Sequence, residues 1–193
     1  MRHWEQLRRE IPGALSVAEM NALAIEASMA KGGDALEVGH YKGLSTAVLL
    51  QSLPETMALW TIDHHQGDEW CSPTESAEFE ANIAGYVGAR PVTYIYNTFE
   101  EGLALVPDGL RFVFYDADHS VEASRLFWGC VAPKLAQSCV ILVDDCDWDG
   151  PRCLVDLAVM DGFNVAPWTG SEYRGAQDKS DPRTNTMEVL IRE

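Results

Sequence analysis

Short apolar runs recur along the chain and are separated by stretches that carry helix signals. The runs cover residues 35–38, 57–62, 92–96, 112–115 and 139–143. The run at 139–143 shows no polar alternation, which is typical of a strand covered on both faces. Strand runs that alternate with helical stretches predict a parallel sheet with right-handed crossovers. The expected fold is therefore α/β, a Rossmann-like, doubly wound and mostly parallel sheet.

Capping and first-turn residues predict where the helices begin and end. Helix starts are expected at Ser16 with Glu19 in a capping box, and at Gly43, Thr74, Ser120 and Pro151. Helix stops are expected at Pro54, Gly88 and Gly162, with Pro133 ending or kinking the helix that follows Ser120. Each assignment has a local cause: an N–H acceptor at the start, or a residue that cannot continue the helix.

The pattern changes near the C-terminus, where residues 163–168 and 187–191 read as an antiparallel pair of strands. The connection between them, residues 169–186, is polar and long enough to serve as a lid or as an arm to another subunit. Residues 1–15 read as an N-terminal extension or helix. The length of 193 residues suits one domain spanning the whole chain.

The charge balance excludes several classes of partner. The chain has 14 Lys and Arg against 30 Asp and Glu, for a net charge of −16. Such a surface repels nucleic acid and anionic membranes. No apolar run reaches the roughly 18 residues of a membrane span, and no signal peptide is apparent. The five cysteines are scattered, which predicts reduced thiols and a cytoplasmic protein.

A glycine loop follows the first strand and is the most informative motif. The sequence Asp-Ala-Leu-Glu-Val-Gly-His-Tyr-Lys-Gly-Leu-Ser-Thr occupies residues 34–46. Gly39 and Gly43 would allow a tight turn into a helix whose first N–H groups favour a polar ligand. A dinucleotide fingerprint needs glycine where Tyr41 stands, and Glu37 would repel a pyrophosphate. A nicotinamide oxidoreductase is therefore disfavoured.

A carboxylate at the end of the first strand suits a cationic ligand instead. Asp63 follows the second strand, where an acid commonly binds ribose hydroxyls in doubly wound folds. The pattern ExGxxxG with this second acid resembles the class I S-adenosylmethionine-dependent methyltransferases. The resemblance implies that the cofactor contacts Glu37, Gly39, His40, Gly43, Ser45 and Asp63. It also places adenine near Thr98 and Phe99, for which a loop and a core phenylalanine are the alternative reading.

Acidic residues follow two further strands. Asp116 and Asp118 come after the fourth strand, and Asp144 and Asp145 after the fifth. The carboxyl ends of parallel strands share one edge, so these carboxylates are expected to crowd together. Hard oxygen ligands select Mg²⁺ or another divalent cation. Each aspartate taken alone is more typical of a turn or a helix cap, and it is the set of four that favours a metal.

The segment Tyr-Asp-Ala-Asp-His-Ser at 115–120 resembles the Asp-Gly-Asp-His signature of small-molecule O-methyltransferases related to the catechol type, with Ala117 in place of glycine. The Asp-Asp pair is similar to the metal-binding pair of macrolide and aminocoumarin sugar O-methyltransferases. These resemblances imply that Asp116, Asp144 and Asp145 hold the metal, with Asp116 also near the cofactor. They imply Asp118 as general base, with His119 as its competitor.

The resulting expectation is a cytoplasmic methyltransferase that uses S-adenosylmethionine, with magnesium, to methylate a hydroxyl of a small molecule. Two alternatives stay open: a metal-independent methyltransferase, and a module that binds the cofactor without catalysis. Trp70, Trp148 and Trp168 fall near the active edge and could wall the acceptor pocket. The adjacent His64 and His65 point apart, so a shared metal site is not expected there. The sequence does not identify the acceptor, and it leaves open whether the protein is a homo-oligomer.

Overall fold

The computed structural model describes residues 4–67, 72–166 and 187–192. Its helices are α1 (Trp4–Glu10), α2 (Val17–Met29), α3 (Leu44–Ser52), α4 (Ser76–Ile83), α5 (Phe99–Leu103), α6 (Val121–Val131) and α7 (Asp149–Met160). Its strands are β1 (Asp34–Val38), β2 (Leu59–Ile62), β3 (Val92–Ile95), β4 (Leu110–Tyr115), β5 (Leu135–Val143), β6 (Asn164–Val165) and β7 (Glu188–Arg192).

The strands described form one sheet in the order β3-β2-β1-β4-β5-β7-β6. The first five strands pair in parallel, whereas β7 runs antiparallel to both β5 and β6. The chain order reverses between β1 and β4, and in open α/β sheets a ligand binds where this reversal leaves a crevice. The predicted Rossmann-like fold with a C-terminal antiparallel pair is confirmed.

Two apolar cores cover the two faces of this sheet. On one face Ala35, Leu59 and Phe112 pack against α1 to α4. On the other face Leu36 and Val113 pack against α5 to α7. Neighbouring residues of one strand thus enter opposite cores, as the two-residue period of a strand requires. Both faces are buried, which explains why the central strands read as continuous apolar runs.

The capping box is confirmed, while two other predicted helix starts are wrong, one by a single residue and one by two. The Ser16 hydroxyl accepts the Glu19 N–H, and the Glu19 carboxylate accepts the Ser16 N–H. The N-cap of α4 is Glu75, one residue after the predicted cap Thr74. Helix α7 begins at Asp149, two residues before Pro151. Proline is tolerated throughout a first turn, because the N–H groups there have no partner within the helix.

Near the C-terminus a strand is expected over 163–168, and within the described residues 163–166 it covers the two residues of β6. Residues 167–186, which include Trp168 and the expected lid or arm, lie outside the described residues, as does Trp70. No helix in the described part of the chain has the length and apolar character that a membrane crossing requires.

Candidate functional site

A cavity of about 880 Å³ opens at the sheet edge where the parallel strands end. Its walls come from the connection before α2, the loop after β1, and the turns that follow β2, β3, β4 and β5. The predicted site residues that line it are Gly39, His40, Ser45, Asp63, Thr98, Phe99, Asp116, Asp118, His119 and Asp145. Glu37, Gly43 and Asp144 are not among its lining residues.

The glycine loop after β1 is packed directly against the end of β4. Gly39 has φ of +87°, and its N–H donates to the Ile62 carbonyl at 2.9 Å. A Cβ at this position would overlap the carbonyl oxygen of Asp116. Only glycine satisfies both the backbone angle and this close approach. Gly43 instead lets α3 approach α4, because a Cβ there would lie 2.6 Å from Ile83.

Asp63, predicted to bind ribose, holds the loop that follows β1. Its Oδ2 accepts the backbone N–H groups of His40 and Tyr41 at 3.0 and 2.8 Å, and its Oδ1 accepts that of His65 at 2.7 Å. Burial alone would raise the pKa of Asp63, but the nearby His40 and these N–H donors lower it. The ionised carboxylate therefore joins two cavity-lining segments.

Glu37 lies beneath the cavity rather than on its wall. Strand alternation puts it on the same sheet face as Ala35, where α3 covers it, and it is fully buried. Its Oε2 accepts the hydroxyls of Thr46 and Thr61 at 2.7 and 2.9 Å, while the buried Oε1 has no hydrogen-bond partner. Burial raises the pKa of Glu37 to about 7, against the lowering effect of the hydroxyl groups of Ser45, Thr46 and Thr61. The carboxyl group thus joins α3 to β2 beneath the cavity.

His40 reaches the cavity edge, yet the residue is only 1% exposed. The ring stacks on Phe79 with a centroid distance of 4.0 Å. Its Nδ1 lies 2.6 Å from the Thr61 hydroxyl, and its Nε2 lies 2.7 Å from Nε2 of His65. Burial lowers the pKa of His40 to about 3, so the ring is neutral. The sequence analysis did not pair His40 with His65, because the two residues are far apart along the chain.

Thr98 and Phe99 lie at the start of α5. Thr98 is the N-cap, whose hydroxyl accepts a backbone N–H, and Phe99 is the first helical residue. Phe99 packs against the second core and meets Phe127 edge to face, with ring centroids 5.9 Å apart. Both residues still line the cavity. This helix has only five residues, too few to show a helical period in the sequence.

Of the four aspartates predicted to crowd together, Asp116, Asp144 and Asp145 interact at the ends of β4 and β5, whereas Asp118 is exposed. Burial and the neighbouring Asp145 raise the pKa of Asp116 to about 8. Burial and Asp116 raise the pKa of Asp144 well above its usual value. Within residues 4–67, 72–166 and 187–192, no group of three or more His, Cys, Asp or Glu side chains is placed to hold a metal ion. The carboxylates interact, but they do not form a ligand set in this arrangement.

His119 forms the closest acid–base pair of the site. Its Nε2 lies 2.7 Å from Oδ2 of Asp145, and this hydrogen bond raises the pKa of His119. Trp148 stacks on the imidazole with a centroid distance of 5.1 Å. Asp145 is buried with φ of +55°, and its Oδ1 has no hydrogen-bond partner. The ring is therefore held by a bond on one edge and by an aromatic face.

Asp118, the other candidate base, is exposed. Its Oδ1 accepts the Ser120 N–H at 2.7 Å, and its backbone carbonyl accepts the Tyr115 hydroxyl at 2.8 Å. These contacts are typical of a turn that leads into a helix. The side chain still lines the cavity, so both candidates border the same space.

Some lining residues were missed by the sequence analysis. Residues 12–15, between α1 and α2, form part of the wall, although nothing in their composition indicates a ligand. Gly150 was also missed, because its role depends on packing. A Cβ on Gly150 would overlap the carbonyl oxygen of His119, so this glycine lets the first turn of α7 support the histidine.

Comparison with known proteins gives a family and a shared fold. A family described as "Methyltransferase domain" matches residues 36–146, which is more than half of the chain. No curated protein matches. Among solved structures, an O-methyltransferase from Bacillus cereus in complex with S-adenosylhomocysteine has a TM-score of 0.68 and 15% identity, with 98% of this chain and 90% of that chain covered.

Two further structures show the same fold. One is the O-methyltransferase TomG from Streptomyces achromogenes, which is involved in tomaymycin synthesis and was solved with S-adenosylmethionine. It has a TM-score of 0.65 and 16% identity, and the match covers 98% of this chain and 87% of that chain. The S-adenosylhomocysteine-bound methyltransferase PaMTH1 from Podospora anserina has a TM-score of 0.68 and 16% identity, with 99% and 86% covered.

The matched residues include the glycine loop, the acid after β2 and the aspartates after β4 and β5, which are the elements that build the cavity. The chain therefore belongs to this methyltransferase domain family and is an S-adenosylmethionine-dependent methyltransferase with the class I fold.

Proposed function

We propose that the protein methylates a hydroxyl oxygen of a small molecule, with His119 as the general base. The observation that carries the proposal is the His119–Asp145 pair on the cavity wall. A proton acceptor held in place beside a bound methyl donor is what transfer to a hydroxyl requires.

The cavity fits the cofactor in size and in the groups that it presents. Its volume of about 880 Å³ lies within the roughly 300–1,000 Å³ typical of small-molecule sites. We assign cofactor binding to Gly39, His40, Ser45, Asp63, Thr98, Phe99 and Asp116. Glu37 and Gly43 act from behind the wall: Glu37 joins α3 to β2, and Gly43 lets α3 pack against α4. When bound, S-adenosylmethionine supplies an electrophilic methyl group on a sulfonium.

The hydrogen bond to Asp145 decides which nitrogen of His119 can act. Nε2–H donates to Asp145, so Nδ1 carries the lone pair that can accept the acceptor's hydroxyl proton. Asp145 then stabilises the imidazolium that forms. Asp118 is the weaker candidate, because one of its oxygens is already used by the Ser120 N–H.

Assistance by magnesium is the second candidate, with Asp116, Asp144 and Asp145 as the proposed donors. It is favoured by the raised pKa values of Asp116 and Asp144, since a nearby cation would lower both. It requires rearrangement, because the described side chains do not converge on a metal position and Oδ2 of Asp145 is bonded to His119. We therefore derive no step that depends on a metal.

Calorimetric titration of S-adenosylhomocysteine, with Mg²⁺ and again with EDTA, tests the cofactor site. Binding of equal strength in both conditions is expected. Turnover is then measured with a panel of hydroxylated small molecules by following the release of S-adenosylhomocysteine. The rate is also expected to be the same in Mg²⁺ and in EDTA. Loss of turnover in EDTA, with a Mg²⁺ binding heat that Asp144→Asn abolishes, would favour the second candidate. No binding in either condition would contradict the cofactor site.

The base assignment predicts that His119→Gln lowers kcat roughly 10²- to 10⁴-fold and leaves the affinity for S-adenosylhomocysteine unchanged. Asp118→Asn is the matched control and should retain most of kcat. In the wild type, kcat should rise with pH through a value above 6.5, because His119 must be neutral to accept a proton and Asp145 raises its pKa. If Asp118→Asn is the inactive variant, the roles are reversed.

A further inference from the structure

A chain of hydrogen bonds runs from Glu37 to Ser76 and fixes the protons along it. The Thr61 hydroxyl hydrogen goes to Glu37 at 2.9 Å, so Thr61 must accept from His40, whose Nδ1 lies 2.6 Å away. His40 therefore carries its proton on Nδ1 and presents a lone pair at Nε2. His65 must then donate from its own Nε2, at 2.7 Å. Its Nδ1 is left to accept from Ser76 at 3.3 Å.

The His40–His65 pair joins two segments of the cavity wall that come from different strands. His40 belongs to the loop after β1, and His65 follows β2 with φ of +58°. Asp63 joins the same two segments through backbone N–H groups. Phe79 stacks on His40, and Tyr96 lies against His65 with a centroid distance of 4.8 Å. The pair is thus held on both sides by aromatic rings.

We propose that His40 and His65 are positioning residues which hold the loop after β1 against the segment after β2 and so preorganise the cofactor site. The proposal rests on the proposed cofactor site and adds residues to it that act through the backbone. A loop fixed before binding loses less conformational freedom when the ligand binds, so the pair should increase affinity for the cofactor. Within this pair His40 acts as a hydrogen-bond acceptor at Nε2, in addition to the cofactor contact assigned to it above.

His65 is the residue to change, because it is partly exposed whereas His40 is buried. His65→Gln places an amide N–H near the position of Nε2 and keeps a donor for His40, whereas His65→Leu removes it. Calorimetry with S-adenosylhomocysteine should show affinity lowered roughly tenfold for His65→Leu, the loss expected for one buried hydrogen bond, and lowered less than threefold for His65→Gln. Circular dichroism checks that both variants are folded.

Proton positions give a second readout that a purely structural role would not specify. In protein labelled with ¹⁵N-histidine, long-range ¹H–¹⁵N spectra should show His40 as the neutral Nδ1–H tautomer and His65 as the Nε2–H tautomer. A His40 proton on Nε2 would overturn the proposed direction of the hydrogen bonds. Wild-type affinity in a folded His65→Leu variant would overturn the positioning role. Absence of binding by the wild type would instead refute the proposed cofactor site.

Discussion

At the scale of single residues, Glu37 shows how a motif residue can serve the site without lining it. Its place at the end of the first strand predicts that this carboxylate binds a cationic ligand. Because side chains alternate along β1, Glu37 lies on the same sheet face as Ala35, and α3 covers that face. There its carboxylate accepts hydrogen bonds from the hydroxyls of Thr46 and Thr61. The sequence predicts the alternation of side chains along β1, but it does not predict which face of the strand α3 covers. The two hydroxyls therefore had to be seen in the structure.

The raised pKa of Glu37 makes a stability prediction. Between its ordinary value of 4.5 and about 7, the folded protein retains a proton that the unfolded chain releases. The free energy of unfolding should therefore decrease as pH rises through this range. The contribution of this one group is about 3 kcal/mol, from roughly 1.4 kcal/mol per pKa unit.

Glu37→Gln removes this titration, while Asp116 and Asp144 remain in both proteins. The difference in urea-unfolding free energy, wild type minus variant, should fall by about 3 kcal/mol between pH 4.5 and pH 7.5. A difference that stays constant over this range would contradict the assigned pKa.

The position of His119 was predictable only in part. Its place after the fourth strand put it at the correct edge of the sheet. Its bond to Asp145 and its stacking on Trp148 depend on how the turn after β5 is bent, including the positive φ of Asp145. No local pattern in the sequence reveals that bend, so the sequence left Asp118 and His119 as competing bases.

At the scale of secondary-structure elements, the contact between the loop after β1 and the end of β4 depends on Gly39. Strands β1 and β4 are adjacent in the sheet, so this loop meets the Asp116 backbone as soon as both strands end. The sequence identifies Gly39 as a turn residue. Its close contact with the Asp116 backbone depends on β1 and β4 being adjacent in the sheet, and no local sequence pattern predicts that strand order.

A matched pair of variants separates the close contact from the backbone angle. Gly39→Ala and Gly109→Ala both place a Cβ at positive φ, of +87° and +91°, but the space beside Gly109 is open. Gly109→Ala should lower the free energy of unfolding by about 1 kcal/mol. Gly39→Ala should cost at least about 2 kcal/mol more and weaken S-adenosylhomocysteine binding. Equal losses in urea unfolding would show that the contact with Asp116 is unimportant.

The predictions of secondary-structure elements succeeded where the signal was local. The capping box before α2 and the glycine after α7 mark those helices correctly. Strand β5 begins at Leu135, four residues before its apolar run at 139–143, because Leu135 pairs with Leu110 across a register shift in β4. A pairing between distant segments set that boundary, and it leaves no local signature.

At the scale of the whole molecule, the net charge of −16 opposes folding through self-repulsion. Salt screens such repulsion, and the Debye length falls from about 30 Å at 0.01 M to about 8 Å at 0.15 M. At pH 8, raising sodium chloride from about 0.01 M to about 0.15 M should therefore raise the melting temperature. Near pH 4.5, close to the isoelectric point, the same change should have little effect. A melting temperature that does not change with salt concentration at pH 8 would show that nearby opposite charges already neutralise the acidic side chains.

The placement of β7 is the feature that has consequences beyond the site. This strand lies between β5 and β6, and the ladder that holds β6 in the described sheet is made with β7. During synthesis the ribosome releases β6 before its partner exists, so the nascent chain carries the five parallel strands with one side of β5 open. Residues 139–143 of β5 are apolar and β-prone, and an open edge of this kind favours pairing with other chains. Chaperone contact with the nascent protein is therefore expected to end only when residues 188–192 have emerged and closed that edge.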